Sequence, residues 1–288
     1  MVERIKTDLL ILGGGSGGLS AAAGAAQMGA DVVLLEGHKM GGDCLNYGCV
    51  PSKSLLAAAK AAHAMSAGSA FGIAPVAPQV DFAAANAHVR NVIKGIEPHD
   101  SVERFEGLGV KVISEYGHFV SPTVVASDSH ESEARRIVIA TGAVPFVPPI
   151  PGLNDGPFLT NESLFDLTDL PEHLIVIGAG PIGLEMAQAH RRLGSKVTVL
   201  EAGKALGKDD PEAAGLVLEK LRAEGIDIRE YAAAENEVWS DGGVTVEPAG
   251  DAVTGSQLLV AVGRSPALER LNLTAAGVEH SAKGVRGT

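Results

Sequence analysis

Residues 7–18 read TDLLILGGGSGG, in which a largely apolar run leads directly into Gly13-x-Gly15-x-x-Gly18. The apolar run predicts a short buried strand, and the small residues that follow Gly18 predict a helix. Glycines at this spacing allow a tight turn, close approach of the backbone to a pyrophosphate and close packing of helix on strand. The unpaired N–H groups at the start of the helix favour a phosphate there. This stretch therefore predicts a βαβ unit that binds a dinucleotide.

An acidic residue completes this pattern. Glu36 ends a second predicted strand, Asp31–Leu35, about 20 residues after the glycines, where a carboxylate can accept hydrogen bonds from ribose hydroxyls. Strand, turn, helix, strand and acid in this order favour a nucleotide site over a glycine-rich turn without a ligand.

The same pattern occurs a second time. Its parts are a strand, three glycines, a further strand and an acid: Leu174–Ile177, Gly178, Gly180, Gly183, Lys196–Leu200 and Glu201. Gly178 lies 165 residues after Gly13, and Glu201 lies 165 residues after Glu36. Because glycines and acid keep one offset, we expect two dinucleotide sites; the alternative is a duplicated unit of which one copy binds. The Glu201 carboxylate would repel the 2′-phosphate of NADP(H), which favours NAD(H), although Lys204 leaves NADP(H) possible.

Both cysteines of the chain lie in one short segment. Residues 41–53 read GGDCLNYGCVPSK, a loop that turns into a helix and contains Cys44 and Cys49. Two thiols so placed can open and close as a disulfide, and a helix N-terminus with a nearby lysine favours the thiolate. The alternatives are two small buried hydrophobes, or a static cross-link, which would close a loop too short to stabilise the fold much. With His38 nearby they still make an incomplete zinc site, so we expect redox chemistry and no metal.

Together these residues resemble the flavin-dependent pyridine nucleotide-disulfide oxidoreductases, the family that contains dihydrolipoamide dehydrogenase, glutathione reductase and mercuric reductase. The Cys-x4-Cys-Val-Pro-Ser-Lys string is specific for that family, and further segments match it in order: Ala140–Gly142, Asn161–Leu170 and Ala261–Pro266. The resemblance covers essentially the whole chain. It implies an α/β fold with two Rossmann-like (FAD/NAD(P)-binding) three-layer domains, of which the FAD domain is incomplete.

The resemblance also implies a domain division and a role for each motif residue. The FAD-binding domain with the dithiol would span residues 1–149, the NAD(P)-binding domain 150–262, and the start of a segment returning to the FAD domain 263–288. The FAD site would use Gly13, Gly15, Gly18 and Glu36, and the nicotinamide site Gly178, Gly180, Gly183 and Glu201. Further cofactor contacts are implied at Gly42, Thr141, Gly142, Gly263 and Arg264.

The catalytic residues implied by the resemblance are Cys44, Cys49, Lys53 and Glu185. Cys49 would be the charge-transfer thiol against the flavin, and Cys44 the interchange thiol that attacks the substrate. Lys53 would lie near the reactive edge of the flavin and pair with Glu185. A hydride would pass between NAD(P)H and FAD, and electrons would then reach the Cys44–Cys49 disulfide and a small disulfide or dithiol substrate.

The resemblance leaves the substrate and the activity open. Mercuric reductases use extra cysteines at the far C-terminus, and this chain has only two cysteines, so lipoamide is preferred to mercuric ion. Family members also continue into an interface domain that supplies an acid–base pair to the other subunit of a homodimer. We expect this chain to be C-terminally truncated, without that domain, and to bind FAD weakly. The alternative function is a nucleotide-binding remnant without turnover.

Composition fits a two-domain protein of this kind. The chain has 288 residues, 45% of them hydrophobic, and 36 glycines, which suits an α/β architecture rich in turns. A net charge of −12 argues against nucleic acid and anionic membranes as partners. Because the N-terminus runs straight into the first strand, we expect no targeting segment, and with a redox-cycling dithiol this suggests the cytoplasm.

The pattern also predicts individual elements. We expect helices over 55–70 and over 82–105, the second interrupted or ended near Pro98, and further helices over 181–193 and 211–223. Several short strands are expected over 111–139, with a turn at 121–122, and edge strands around 227–231 and 243–247. Seven histidines show no paired spacing, so we expect them to be surface or packing residues: His88, His99, His118, His130, His173, His190 and His280.

Overall fold

The computed structural model describes residues 2–287, and the chain divides into two compact units. The first unit comprises the residues up to Cys49, Ile93–Val144 and the residues from Arg264 on; the second comprises Val50–Val92 and Pro145–Gly263. Residues 50–92, which the sequence division placed in the first domain, therefore group with the second unit. The division at 149 and 262 by cofactor stays a prediction.

Within the described residues the helices are α1 (Ser16–Gln27), α2 (Gly42–Asn46), α3 (Cys49–Ser66), α4 (Phe82–Ile96), α5 (Val102–Gly107), α6 (Pro181–Leu193) and α7 (Pro211–Ala223). The strands are β1 (Glu3–Leu12), β2 (Val32–Leu35), β3 (Val110–Ile113), β4 (His118–Ser121), β5 (Val124–Ala126), β6 (His130–Ile139), β7 (Ala143–Pro145), β8 (His173–Ile177), β9 (Lys196–Leu200), β10 (Asp227–Arg229), β11 (Ala234–Ser240), β12 (Gly243–Pro248), β13 (Val253–Gly255), β14 (Gln257–Val260), β15 (Arg264–Pro266), β16 (His280–Ser281) and β17 (Gly284–Val285). Single 3-10 turns lie at Gly68–Phe71, Glu97–Asp100, Leu153–Asp155, Leu164–Asp166 and Leu273–Ala276.

The first unit is built on a sheet with the strand order β3-β2-β1-β6-β5-β4. Its first four strands are parallel, and Leu12 is in register with Leu35 on one side and Ile139 on the other. The apolar end of β1 is fully buried because both faces of a parallel sheet are covered. The carboxyl ends of three neighbouring strands therefore meet at one edge, where ligands of such sheets bind.

The second unit repeats this arrangement with a parallel sheet of order β10-β9-β8-β14. Every residue of β8 is buried. A separate antiparallel sheet, β11-β12-β13, packs its inner face into the same core. The prediction of an edge strand at 243–247 is wrong, because β12 pairs with β11 on one side and β13 on the other. The edge position of β10 is confirmed.

Most predicted helices are confirmed. α6 and α7 have the predicted bounds, since each begins with a proline at its first position. The helix predicted from residue 82 ends at Ile96, and a 3-10 turn that contains Pro98 separates it from α5. α3 starts earlier than predicted and ends at Ser66, while α2 was not predicted. Between residues 2 and 287, no helix is both long and apolar enough to cross a membrane.

Candidate nucleotide and dithiol sites

The first glycine turn, between β1 and α1, has no room for side chains at two of its glycines. Gly13 has φ +109°, and a Cβ there would lie 2.3 Å from the carbonyl oxygen of Ala140. A Cβ on Gly18 would lie 1.9 Å from the carbonyl oxygen of Gly13. Gly15 is the N-cap residue of α1. The turn thus exposes the N–H groups that begin α1, which suits a pyrophosphate.

Glu36 lies beside this turn at the end of β2. Its Oε2 accepts a hydrogen bond from Gly14 N at 2.6 Å, and its Oε1 accepts one from His38 N at 2.7 Å. Because a carboxylate has about four lone-pair positions, both oxygens can still accept from a ribose. The first turn and its acid therefore fit the adenosine half of a dinucleotide.

The second turn reproduces these contacts residue by residue. Glu201 Oε2 accepts from Ala179 N at 2.8 Å, and its Oε1 accepts from Gly203 N at 2.9 Å. Each of these residues lies 165 positions after its counterpart in the first copy. A Cβ on Gly183 would lie 2.1 Å from the carbonyl oxygen of Gly178. The second site therefore fits the same type of ligand, and Gly180 is again the N-cap residue of the helix.

The remaining nucleotide-site candidates follow the strand next to the central one in each sheet. Thr141 and Gly142 lie two and three residues after the end of β6, and Gly263 lies three residues after the end of β14. Gly142 has φ +67° and Gly263 has φ +147°. Gly42 packs on the first turn, since a Cβ there would lie 2.6 Å from the Cα of Gly15. These residues lie at the ligand-binding edges of their sheets.

Arg264 has partners within the first unit. Its Nη1 lies 3.0 Å from Asp43 Oδ1, and another guanidinium nitrogen donates to the carbonyl oxygen of Ala143. Asp43 was not singled out from the sequence, because no local spacing links it to a residue 221 positions away. The cofactor contact implied for Arg264 stays a prediction.

The two cysteines lie in the same unit as the first turn. Cys44 is in α2 and half-buried, Cys49 begins α3 and is exposed, and both are present as thiols. A hydrogen bond with Cys49 and burial are the main causes that raise the pKa of Cys44 to about 11; the charge of Cys49 adds to them, and the nearby Asp43 carboxylate contributes least. Cys44 is therefore mainly a thiol at neutral pH, and it lies next to the second sulfur with which it can form a disulfide.

Lys53 and Glu185 meet within the second unit. Lys53 lies one turn along α3 from its start, Glu185 is on α6, and Nζ lies 2.6 Å from Oε2. Both side chains reach solvent, at 62% and 38% exposure, so this ion pair contributes little stability.

The structure also shows polar clusters that were not assigned a role from the sequence. Tyr47, at the end of α2, places its hydroxyl 2.9 Å from His38 Nε2, and Lys39 Nζ lies 5.0 Å from the centre of the Tyr47 ring. The sequence offered one sign of these contacts, because all three residues lie close to Glu36 and to the dithiol along the chain. His190 is fully buried, which lowers its pKa to about 4, and it is a packing residue as expected.

Two glycine turns of this geometry, together with a thiol pair next to the first of them, are the features expected of the class of nucleotide-dependent disulfide oxidoreductases. Residues 7–286 match the family described as pyridine nucleotide-disulphide oxidoreductase, and the chain belongs to that family. Members of this family use FAD and NAD(P)H.

Known relatives and solved structures are similar to nearly the whole chain. Mercuric reductase from Lysinibacillus sphaericus is 35% identical over 285 residues, which cover 97% of this chain and 52% of that protein. Mercuric reductase from Acidithiobacillus ferrooxidans is also 35% identical, with the same coverage. The HOCl-induced flavoprotein disulfide reductase RclA from Escherichia coli, solved as a Cu(II) complex, has a TM-score of 0.85 at 29% identity, over 97% of this chain and 62% of that one. The chain thus spans about half the length of the curated relatives it matches.

Proposed function

We propose that this chain provides the nucleotide-binding and dithiol sites of an NAD(H)-dependent flavoprotein disulfide oxidoreductase. The observation that carries the proposal is the pair of hydrogen-bonded thiols, Cys44 and Cys49, in the same unit as the first nucleotide turn. A structural pair of thiols would not need to lie at the start of a helix beside a nucleotide site.

Each site fits one of the two cofactors. The first turn, with Glu36, would hold the adenosine diphosphate part of FAD, and the second turn, with Glu201, would hold NAD(H). When bound, these cofactors supply hydride transfer from nicotinamide to flavin and an electron pair for the disulfide. The Glu201 carboxylate, held in place by two backbone N–H groups, supports NAD(H) because it would repel a 2′-phosphate.

The cysteines would supply the chemistry with the substrate. The Cys44–Cys49 disulfide takes up two electrons and two protons to become two thiols. Cys44 then attacks a substrate disulfide as the thiolate, releasing one substrate thiol, and Cys49 displaces the second thiol as the protein disulfide re-forms. Lys53 and Glu185 would act as a positioning pair, since the ion pair holds each charge in place.

The substrate is proposed from chemistry and similarity together. A small disulfide such as lipoamide requires only the two thiols that this chain has. Mercuric ion is the second candidate, because the similar proteins include mercuric reductases at 35% identity. A cytoplasmic location, homodimer formation and the implied weak binding of FAD stay predictions.

A count of thiols before and after reduction tests this function. The oxidised chain is loaded with FAD and treated with NADH without oxygen, and thiols are counted with a chromogenic reagent after unfolding. We expect two new thiols per chain with NADH, markedly fewer with the same amount of NADPH, and none in Cys44→Ser. NADH binding without new thiols would mean a nucleotide-binding protein without this activity. Adding lipoamide or mercuric ion to the reduced chain, and measuring which one restores NADH consumption, separates the two substrate candidates.

A further inference from the structure

An ion pair stands next to the dithiol, and its two members lie far apart in the sequence. Arg264 Nη1 lies 3.0 Å from Asp43 Oδ1 across 221 positions, and Arg264 also donates to the carbonyl oxygen of Ala143. Asp43 directly precedes Cys44 within α2. The guanidinium therefore holds the carboxylate that stands next to one of the two redox thiols.

The position of this carboxylate is fixed from two sides. The Arg264 side chain is 26% exposed and that of Asp43 is 40% exposed, so the pair is partly shielded from water. A Cβ on Gly48 would lie 2.8 Å from Asp43 Oδ2, so the second carboxylate oxygen packs against the loop between the cysteines. Because Arg264 also bonds a backbone carbonyl, its planar group is held in one orientation.

Two neighbouring groups raise the pKa of Cys44, with Cys49 the larger influence and the Asp43 carboxylate the smaller. Arg264 is the ion-pair partner of that carboxylate. Helix α1, which packs on α2, carries no charged side chain. The other ionisable residues of the loop before α2, the end of α2 and the start of α3 are Glu36, His38, Lys39, Tyr47 and Lys53. Asp43 is therefore the carboxylate placed to oppose ionisation of Cys44.

We propose that the Asp43–Arg264 ion pair sets the charge beside the dithiol: the Asp43 carboxylate opposes ionisation of the Cys44 sulfur, and Arg264 weakens this effect by neutralising the carboxylate. The raised pKa of Cys44 agrees in direction. Because the thiolate is the attacking form, the ion pair would set how readily Cys44 attacks a substrate. The inference refines the proposed function at the same site, but the reactivity of Cys44 is a property of the chain without any cofactor.

Alkylation of the reduced full-length chain by iodoacetamide tests this proposal. The thiolate displaces iodide, so the rate at a given pH follows the thiolate fraction. Cys44 and Cys49 lie in the same tryptic peptide, and fragmentation in the mass spectrometer assigns the label to one or the other. At about pH 8 we expect Asp43→Asn to raise the Cys44 rate about threefold and Arg264→Gln to lower it by a similar factor. The double variant should behave like Asp43→Asn, because Arg264 acts only through the carboxylate.

Controls separate this effect from altered folding. Arg286→Gln removes a positive charge from the same C-terminal segment, where the Arg286 side chain is 74% exposed, and should leave the Cys44 rate unchanged. Asp43→Thr removes the charge with a different shape, and circular dichroism identifies variants that lose structure. An unchanged Cys44 rate in folded Asp43→Asn and Asp43→Thr would overturn the proposal. So would an Arg264→Gln effect that persists when Asp43 is absent. The assay contains neither flavin nor nicotinamide, so its outcome is independent of whether electrons reach the dithiol.

Discussion

At the scale of single residues, the sites depend on positions where only glycine fits. The two glycine turns require glycine because an added Cβ would overlap a carbonyl oxygen at Gly18 and at Gly183. A buried carboxyl in the second unit, Glu237, is a different case, because both of its oxygens lack a hydrogen-bond partner among the described residues.

The first prediction compares two glycines of the same helix. In α1, a Cβ on Gly18 would lie 1.9 Å from Gly13 O, whereas a Cβ on Gly24 would have nothing within 4 Å. Gly18→Ala should force the turn apart and abolish the FAD binding that the parent chain shows in an equilibrium titration followed by flavin fluorescence. Gly24→Ala should keep FAD and raise the free energy of unfolding by about 1 kcal/mol, because alanine is the better helix former. Equal loss of FAD in both variants would contradict this account of the turn.

The second prediction concerns Glu237, which is 3% exposed. It lies on β11 opposite the buried Val246, and burial raises its pKa from 4.5 to about 7. The folded chain therefore binds a proton that the unfolded chain releases, so this group lowers stability as pH rises from about 4.5 to about 7, by about 3 kcal/mol in total.

Unfolding in urea at several pH values measures this effect. The single tryptophan, Trp239, lies on the same strand and donates to Gly152 O at 3.0 Å, so its fluorescence reports on this sheet. We expect Glu237→Gln to remove the loss of stability in this pH window. The exposed neighbour on the strand provides the control, and Glu235→Gln should keep the loss. A pH profile that Glu237→Gln leaves unchanged would show that the carboxyl is not buried as described.

At the scale of elements, the repeated βαβ unit explains why two separate stretches of sequence fold alike. The glycines, the acid and the backbone contacts of the acid recur at one offset of 165 residues. The loop after each acid also folds back on its turn: Gly41 N donates to Gly14 O, and Leu206 N donates to Ala179 O. Where the first copy has Gly41 at φ +83°, the second has Leu206 at φ +50°, a conformation that leucine adopts at a cost.

The third prediction concerns the start of α7, the helix that follows this loop. Asp210 is its N-cap residue and accepts hydrogen bonds from Glu212 N and Ala213 N, both at 3.0 Å. Asp210→Ala should lower the free energy of unfolding of the second unit by about 1 kcal/mol, and Asp210→Ser should restore most of it. Thermal unfolding followed by Trp239 fluorescence measures the change. Asp209→Ala is the control, and an equal loss there would argue against a capping role.

At the scale of the whole molecule, the sequence predicted local structure better than it predicted contacts between distant parts of the chain. Both glycine turns, their acids and the bounds of α6 and α7 follow from spacing and from proline at the first helical position. The middle position of β12 could not be predicted, because an alternating strand reads the same at an edge and in the middle of a small sheet. Likewise, the contact of Asp43 with Arg264 and the grouping of residues 50–92 with the second unit depend on contacts between distant parts of the chain.

The central claim is that electrons from NADH reach the Cys44–Cys49 pair through a bound flavin. The most direct test is the visible spectrum of the chain with FAD during titration with NADH in the absence of oxygen. We expect a long-wavelength charge-transfer band to appear when two electrons open the disulfide, to be present in Cys44→Ser already before NADH is added, and to be absent in Cys49→Ser, whose sulfur is the proposed partner of the flavin. A flavin spectrum that NADH leaves unchanged, or a band that survives in Cys49→Ser, would contradict the claim.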